Sequence, residues 1–171
     1  MRSLHIALFA AFLAALVWPP GRAPAQSTLE KSKRDEIAHV PRKNPDMEAA
    51  FRRAKETLDG FLAVVRNPRP TITSYAVKIP VRDRGGTEYF WIGRFVQRNG
   101  RLIGRIDNTP RMVHNVKEGD LISFKPSDVV DWLYRENGKM IGNFTACAII
   151  KSDPPEQAEA FKQYYGLSCE P

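Results

Sequence analysis

The chain has 171 residues, with 26 basic residues against 19 acidic ones and a formal net charge of +7. This basic excess is moderate and is spread along the sequence, as expected of a solvated surface. A nucleic-acid-binding protein would concentrate it with aromatic residues on one face, so we expect no nucleic-acid partner. In a protein that reaches the cell envelope, a mild positive charge favours anionic envelope polymers and lipid head groups over DNA.

The first 25 residues predict a secretory signal peptide. Arg2 precedes an apolar run at residues 4–18, and small residues at Ala23 and Ala25 predict a mature chain that starts at Gln26. The run is shorter than the roughly 20 residues of a membrane-spanning helix. An uncleaved membrane anchor is the alternative. Cleavage would leave no transmembrane segment, a net charge of +5 because two arginines are lost, and a periplasmic or secreted protein.

Residues 26–43 carry many charges and few large apolar side chains, so we expect a flexible leader followed by a single domain at 44–171. Asn44-Pro45-Asp46 is a typical helix start. Apolar residues then recur at spacings of three and four until residue 65, before Asn67-Pro68. This pattern predicts an amphipathic helix whose apolar face covers a sheet.

Short apolar runs separated by turn residues predict about six strands after this helix. The runs are residues 75–81, 88–98, 101–107, 121–124, 131–135 and 140–150. The second has large residues on both sides, so we expect a central strand that is covered on both faces. Asn-Gly pairs at residues 99–100 and 137–138 predict tight hairpins.

Strands grouped between helices predict an α+β domain. We expect a strongly bent, largely antiparallel sheet of about six strands, either open or barrel-like. An N-terminal amphipathic helix precedes it, and a C-terminal helix follows it from Asp153-Pro154-Pro155 to Gly166.

The two cysteines, Cys147 and Cys169, leave two interpretations open. Export would permit a disulfide between them. However, Cys147 lies in a predicted apolar strand, where a buried free thiol is also common. Neither cysteine has the spacing of a redox or zinc motif, so we expect no metal site.

Several spaced blocks of sequence resemble one family. They are Phe90-Trp91-Ile92 and the stretches GRIDN at 104–108, VKEGD at 116–120, DWLY at 131–134 and NGKMIGNFT at 137–145. Together they resemble the YegJ-like bacterial family of unknown function, number 2314 in the domain-of-unknown-function series, over roughly Ala49 to Ile150. The resemblance implies no reaction, because the family has no assigned activity, cofactor or catalytic residues.

The residues offer little support for catalysis. A hydrolase needs a nucleophile, a base and an orienting carboxylate. His114 lies in a loop where Asp107 or Asp120 could activate it after folding, but no nucleophile-elbow sequence accompanies it. A glycine-rich phosphate loop between a strand and a helix is also absent from the sequence, so we expect no cofactor.

The pair Asp131-Trp132, near Tyr134 and Asn143, is the strongest candidate for a binding site. A carboxylate beside a large aromatic ring could line a groove that stacks a sugar or a base. Alternatively, Trp132 belongs to the core, and Asp131 caps a turn or pairs with an arginine such as Arg105. If Trp132 faces the core, strand alternation directs Asp131 outward or toward the turn before it.

We therefore name Asp131, Trp132, Asn143 and His114 as candidate binding residues. The preferred interpretation is a non-enzymatic binding domain of the cell envelope, whose partner is a protein or an anionic envelope component. The alternative is a small hydrolase that uses Asp131 or His114.

Overall fold

The computed structural model describes residues 26–34 and 44–169. The elements in chain order are α1 (Thr28–Lys33), α2 (Pro45–Arg66), β1 (Ile72–Asp83), β2 (Gly86–Arg98), β3 (Arg101–Ile106), β4 (Leu121–Phe124), β5 (Asp131–Glu136), β6 (Lys139–Gly142), α3 (Phe144–Ile150) and α4 (Pro155–Tyr165). A single 3-10 turn at Pro126–Asp128 joins β4 to β5. The predicted signal peptide lies outside the described residues, as do residues 35–43 of the predicted leader.

The strands form one antiparallel sheet of six strands in the order β4-β3-β2-β1-β5-β6. The predicted α+β class is confirmed. Because β4 and β6 lie at opposite edges, the sheet is open, and the barrel-like alternative is wrong. Both predicted Asn-Gly hairpins are present, with φ of 50° and 73° at residues 99–100 and 51° and 77° at residues 137–138.

Helix α2 begins and ends where the sequence predicts. Asn44 Oδ1 accepts a hydrogen bond of 2.9 Å from the backbone N–H of Met47, and a proline occupies the first helical turn. The apolar side of α2 packs on one face of the sheet and forms the main core. That core includes Ala54, Leu58, Phe61 and Leu62 of the helix with Val77, Ile79, Phe90, Ile92, Leu102, Ile106 and Trp132 of the strands.

Helix α4 and one side of α3 form a smaller core with β5 and β6, which includes Met140, Ile150, Phe161 and Leu167, and α3 also packs against α2. Strand β2 is buried on one face only: its Phe90 is fully buried, whereas Val96 is 60% exposed. The prediction that both faces of the second strand are covered is therefore wrong. The reason is that α3 and α4 follow β6 at the far edge of the sheet, which β1 and β5 separate from β2.

Residues 144–150 form a helix and do not continue the strand predicted over 140–150. Strand β6 ends at Gly142, and Asn143 turns the chain with a left-handed φ of 54° and ψ of 46°. A Cβ at Gly142 would lie 2.2 Å from the backbone oxygen of Trp132, so only glycine permits this close approach. The small and apolar residues that follow fit a buried helix as well as a buried strand.

Six residues of the predicted leader form α1, which lies against α4. Thr28 Oγ1 donates to Asp153 Oδ1 at 2.9 Å, and the hydroxyls of Ser32 and Tyr165 are hydrogen-bonded at 3.0 Å. The boundaries of the signal peptide, leader and domain stay predictions. Across residues 26–34 and 44–169, no helix has both the length and the hydropathy that crossing a membrane requires.

Of the two interpretations of the cysteines, the disulfide is confirmed. Cys147 of α3 and Cys169 beyond α4 are bonded, with Sγ atoms 2.08 Å apart and Cα atoms 5.6 Å apart. The bond spans 22 residues and ties the end of α4 to α3. It therefore holds both helices on the β5–β6 side of the sheet.

Removing this disulfide should destabilise the fold. Closure of a loop of this length constrains the unfolded chain, and Cys169→Ser should lower the free energy of unfolding by about 3 kcal/mol. Denaturant unfolding of the oxidised wild type and the variant measures the difference. A reductant should lower the midpoint of the wild type and leave that of the variant unchanged. Two free thiols in protein isolated from its native cells without reductant would contradict the bond.

Candidate functional site

An open cleft of about 440 Å³ lies between α2 and the β5–β6 hairpin. Most of its lining is aromatic or aliphatic, with a few polar groups at the rim. The lining residues are Arg53, Thr57, Gly60, Phe61, Val64, Trp132, Tyr134, Met140, Ile141, Gly142, Phe144 and Ser168. An apolar surface with a few polar groups is the usual composition of a ligand-binding site.

Trp132 forms the floor of this cleft, with 6% of the residue exposed. Its ring stacks on Phe61 with centroids 4.9 Å apart, and it meets the edge of Phe144 at 5.2 Å. The indole Nε1–H donates to the backbone oxygen of Ala54 at 3.1 Å and to Thr57 Oγ1 at 3.2 Å. Most of the indole therefore joins α2 to β5, and a small part of it faces the cleft.

Asp131 is fully buried beneath the start of α3. Its Oδ1 accepts from the backbone N–H groups of Trp132 (2.8 Å) and Phe144 (3.2 Å). Its Oδ2 accepts from the backbone N–H (2.8 Å) and the hydroxyl (2.6 Å) of Thr145. These donors suit an ionised carboxylate that caps the helix. The expectation that Asp131 faces outward is wrong, because α3 covers this side of the sheet.

Lys78 is the neighbouring charge, since it lies opposite Asp131 in the β1–β5 ladder. Its Nζ donates to Thr145 Oγ1 at 2.6 Å and lies 4.4 Å from the ring centroid of Trp91. Burial lowers the pKa of Lys78, while Asp131 opposes that change. Burial raises the pKa of Asp131, while Lys78 and the hydrogen bonds from Thr145 and Trp132 oppose it. Thr145 thus links the buried carboxylate of Asp131 to the half-buried ammonium group of Lys78 through its hydroxyl.

Three of the four candidate residues meet at the start of α3. Asn143 is held by two hydrogen bonds. Its backbone N–H donates to the backbone oxygen of Trp132 at 2.8 Å, and its Nδ2 donates to Met140 Sδ at 3.3 Å. Asp131, Trp132 and Asn143 therefore form the support of the cleft, with Trp132 alone of the three among the residues that line it.

His114 lies elsewhere, in an exposed loop, and its backbone N–H donates to Asp83 Oδ2 at 2.6 Å. That hydrogen bond is the main reason why the pKa of Asp83 is lowered. The carboxylate beside His114 is thus Asp83, which the sequence did not indicate. Asp120, one of the two acids considered as its partner, instead accepts from the backbone N–H of Lys117 at 2.8 Å.

Arg53 and Gly60 are rim residues that sequence reasoning missed, because neither belongs to the apolar positions that recur along α2. The guanidinium carbon of Arg53 lies 4.9 Å from the ring centroid of Phe144. Gly60 is exposed, and a Cβ there would meet no atom within 4 Å. Arginine offers a planar fork of donors to an anionic group. The one sequence signal for this rim was Gly60 itself, because a glycine within an amphipathic helix leaves the helix backbone exposed at that position.

A second cleft, of about 500 Å³, lies beside the first half of α2 and is lined by Phe51, Arg52, Lys55, Glu56, Val129 and Val130. Neither cleft includes Asp107, His114, Asp120 or Asp131 in its lining. Among the residues that the structure describes, no three histidine, cysteine, aspartate or glutamate side chains cluster in a way that could hold a metal ion.

Comparison with known proteins identifies the family and adds no chemistry. Residues 44–169 match the model of the family described as "Uncharacterized protein conserved in bacteria (DUF2314)". The chain is 33% identical over 116 residues to the "Uncharacterized protein YegJ" of Escherichia coli (strain K12), covering 68% of this chain and 74% of that protein. No solved structure matches. The chain therefore belongs to the DUF2314 family of bacterial proteins, as the resemblance in its sequence predicts.

Proposed function

We propose that the protein is an exported, non-enzymatic binding domain of the bacterial cell envelope, and that the cleft beside Trp132 is its binding site. The observation that carries the proposal is an aromatic cleft with a guanidinium at its rim. The first 25 residues and the disulfide support export, because disulfides persist in oxidising compartments.

The chemistry of the cleft indicates the class of group that it would hold. Trp132, Tyr134 and Phe144 offer ring edges and faces to a flat or apolar body. Arg53 offers a charged donor to an anionic substituent. The favoured ligand is therefore a group with an apolar or planar body and one negative charge, carried by an envelope component or a partner protein.

The hydrolase alternative has less support. The carboxylate of Asp131 is fully buried and already accepts hydrogen bonds on both oxygens, so a substrate would have to displace α3 to reach it. His114 lines neither cleft. A binding role accounts for the cleft without requiring either residue to react.

Export is tested by the mass of the protein that the cell accumulates. We expect a chain that starts at Gln26, released with the periplasmic or secreted fraction. An intact chain that starts at Met1 and sediments with the membranes would contradict export.

Substitution of Gly60 tests the cleft directly. Gly60→Leu should fill the mouth of the cleft, and Gly60→Ala is the matched control because its Cβ has open space. Alanine is favoured over glycine within a helix by about 1 kcal/mol, so the control should unfold at a higher denaturant concentration than the wild type. Neither variant should lose the fold.

Each protein is immobilised and exposed to envelope extract, and the eluted components are compared by mass spectrometry. We expect the wild type and Gly60→Ala to recover the same component and Gly60→Leu to lose it. Equal recovery by both variants would place binding outside the cleft, and no enrichment by any of the three would contradict a binding function.

A further inference from the structure

Strands β2, β3 and β4 expose the face that lies opposite the main core. Strand pairing opposes Val96 to Ile103 and Leu121 to Arg105, so these four side chains share that face. Val96 is 60% exposed and Leu121 is 65% exposed. Arg98 and Arg101, opposite each other at the end of the β2–β3 hairpin, extend the same row. We call these six residues the open sheet face.

The open sheet face is cationic. Arg101 Nε donates to Ser123 Oγ at 2.7 Å, and Arg105 Nη1 donates to the backbone oxygen of Gly119 at 2.9 Å. These contacts hold two guanidinium groups along β4 without neutralising them. Over residues 26–34 and 44–169, no carboxylate lies within ion-pair distance of Arg98, Arg101 or Arg105.

The acidic residues closest in sequence to these arginines do not cancel the positive charge of the open sheet face. Strand alternation brings Asp107 to this side at the end of β3. Glu118 and Asp120, in the turn before β4, are engaged locally: Glu118 accepts from the hydroxyl of Thr109, and Asp120 accepts from the backbone of Lys117. The row of three arginines is therefore the dominant charge beside the exposed valine and leucine.

We propose that the open sheet face docks the protein on an anionic phospholipid surface. Aliphatic side chains gain free energy when they enter the boundary between head groups and acyl chains, and arginines beside them attract anionic head groups. Both features occur here on one continuous sheet face. Trp91, half-buried on the same side of β2, adds the type of side chain that is enriched at membrane interfaces.

A lipid surface fits this face better than a nucleic acid does. Single-stranded nucleic acids bind through aromatic platforms on which bases stack. The most exposed large apolar side chains of the open sheet face are a valine and a leucine, and Lys78 Nζ already lies over the ring of Trp91. The proposal concerns a second surface, separate from the cleft. It depends on the proposed export only because export would bring the protein to the lipids of the cell envelope.

Vesicle sedimentation tests the proposal. The protein is purified in the form that the cell accumulates, because residues 4–18 would themselves bind lipid if they were retained. It is mixed with vesicles of phosphatidylglycerol and phosphatidylcholine, or of phosphatidylcholine alone. We expect binding to the anionic vesicles that weakens with added salt, and a blue shift of the tryptophan fluorescence through the contribution of Trp91.

Two double variants of the open sheet face should lose this binding. Loss of one arginine near an anionic surface weakens binding about fivefold, so Arg98→Ser with Arg105→Ser should weaken it about 25-fold. Val96→Ser with Leu121→Ser should weaken it and remove the blue shift. The matched control is Arg52→Ser with Tyr164→Ser, because both side chains are exposed on helices outside this face, and it should bind like the wild type.

Equal binding to both kinds of vesicle, or unchanged binding by the two face variants, would overturn the proposal. Binding of polyuridylate that depends on the same arginines, without vesicle binding, would also overturn it and assign the face to nucleic acid. Gly60→Leu should bind vesicles normally, so failure of the cleft and failure of this face are distinguishable.

Discussion

Replacing Trp132 with alanine is expected to lower the free energy of unfolding by about 3–5 kcal/mol, most of the stability of a domain of this size. The indole stacks on Phe61 and donates to the backbone of Ala54, so its removal leaves a cavity between α2 and β5 and an unsatisfied acceptor. Thermal and denaturant unfolding measure the loss.

Trp91→Ala is the matched control for Trp132→Ala. Trp91 is half-buried on the other side of the sheet, so its loss should cost clearly less stability. If Trp132→Ala keeps its melting temperature and loses binding to the envelope component, then Trp132 acts mainly by contacting the ligand. The structural role that we assign to it would then be wrong.

Replacing Asp131 with alanine is expected to cost several kcal/mol of unfolding free energy, because each buried donor that loses its acceptor costs about 1–3 kcal/mol. The substitution leaves the first N–H groups of α3 without their acceptor and leaves Lys78 without a compensating charge. Asp131→Asn should also destabilise, since it turns an amide N–H₂ toward groups that are themselves donors.

A double-mutant cycle separates the charge pair from the helix cap. If the two charges are coupled through Thr145, Lys78→Met should destabilise the wild type more than it destabilises the Asp131→Ala protein, by roughly 0.5–3 kcal/mol. Additive effects would show that Asp131 acts through the cap alone. Denaturant unfolding of the four proteins supplies the comparison.

Local sequence signals predicted the elements that are stabilised locally. Asn44-Pro45 starts α2, and the Asn-Gly pairs at 99–100 and 137–138 set two hairpins, because each signal fixes the backbone within a few residues. Helix α3 was missed because its residues suit two conformations. The carboxylate that caps it belongs to Asp131, 13 residues before Phe144.

The candidate site was predicted only in part, because some of its residues are neighbours in the sequence and others meet only in the folded chain. Trp132 and its neighbours were identifiable as an unusual aromatic and acidic cluster. Lys78 becomes a neighbour of Asp131 only through the register of β1 against β5, and Arg53 reaches the cleft only when α2 docks on the hairpin. No spacing in the sequence encodes either contact, since each joins segments that are more than 50 residues apart.

The two tryptophans that follow the predicted signal peptide provide the most direct test of the binding site, because Trp132 reports on the cleft and Trp91 on the opposite side of the sheet. The measurement is the pair of indole N–H signals in ¹H–¹⁵N spectra of the mature protein, recorded while the component recovered from envelope extract is added. The signal of Trp132 is predicted to shift while that of Trp91 stays in place, and Gly60→Leu should abolish the shift. A component that moves the Trp91 signal alone, or moves neither, would contradict binding in the cleft.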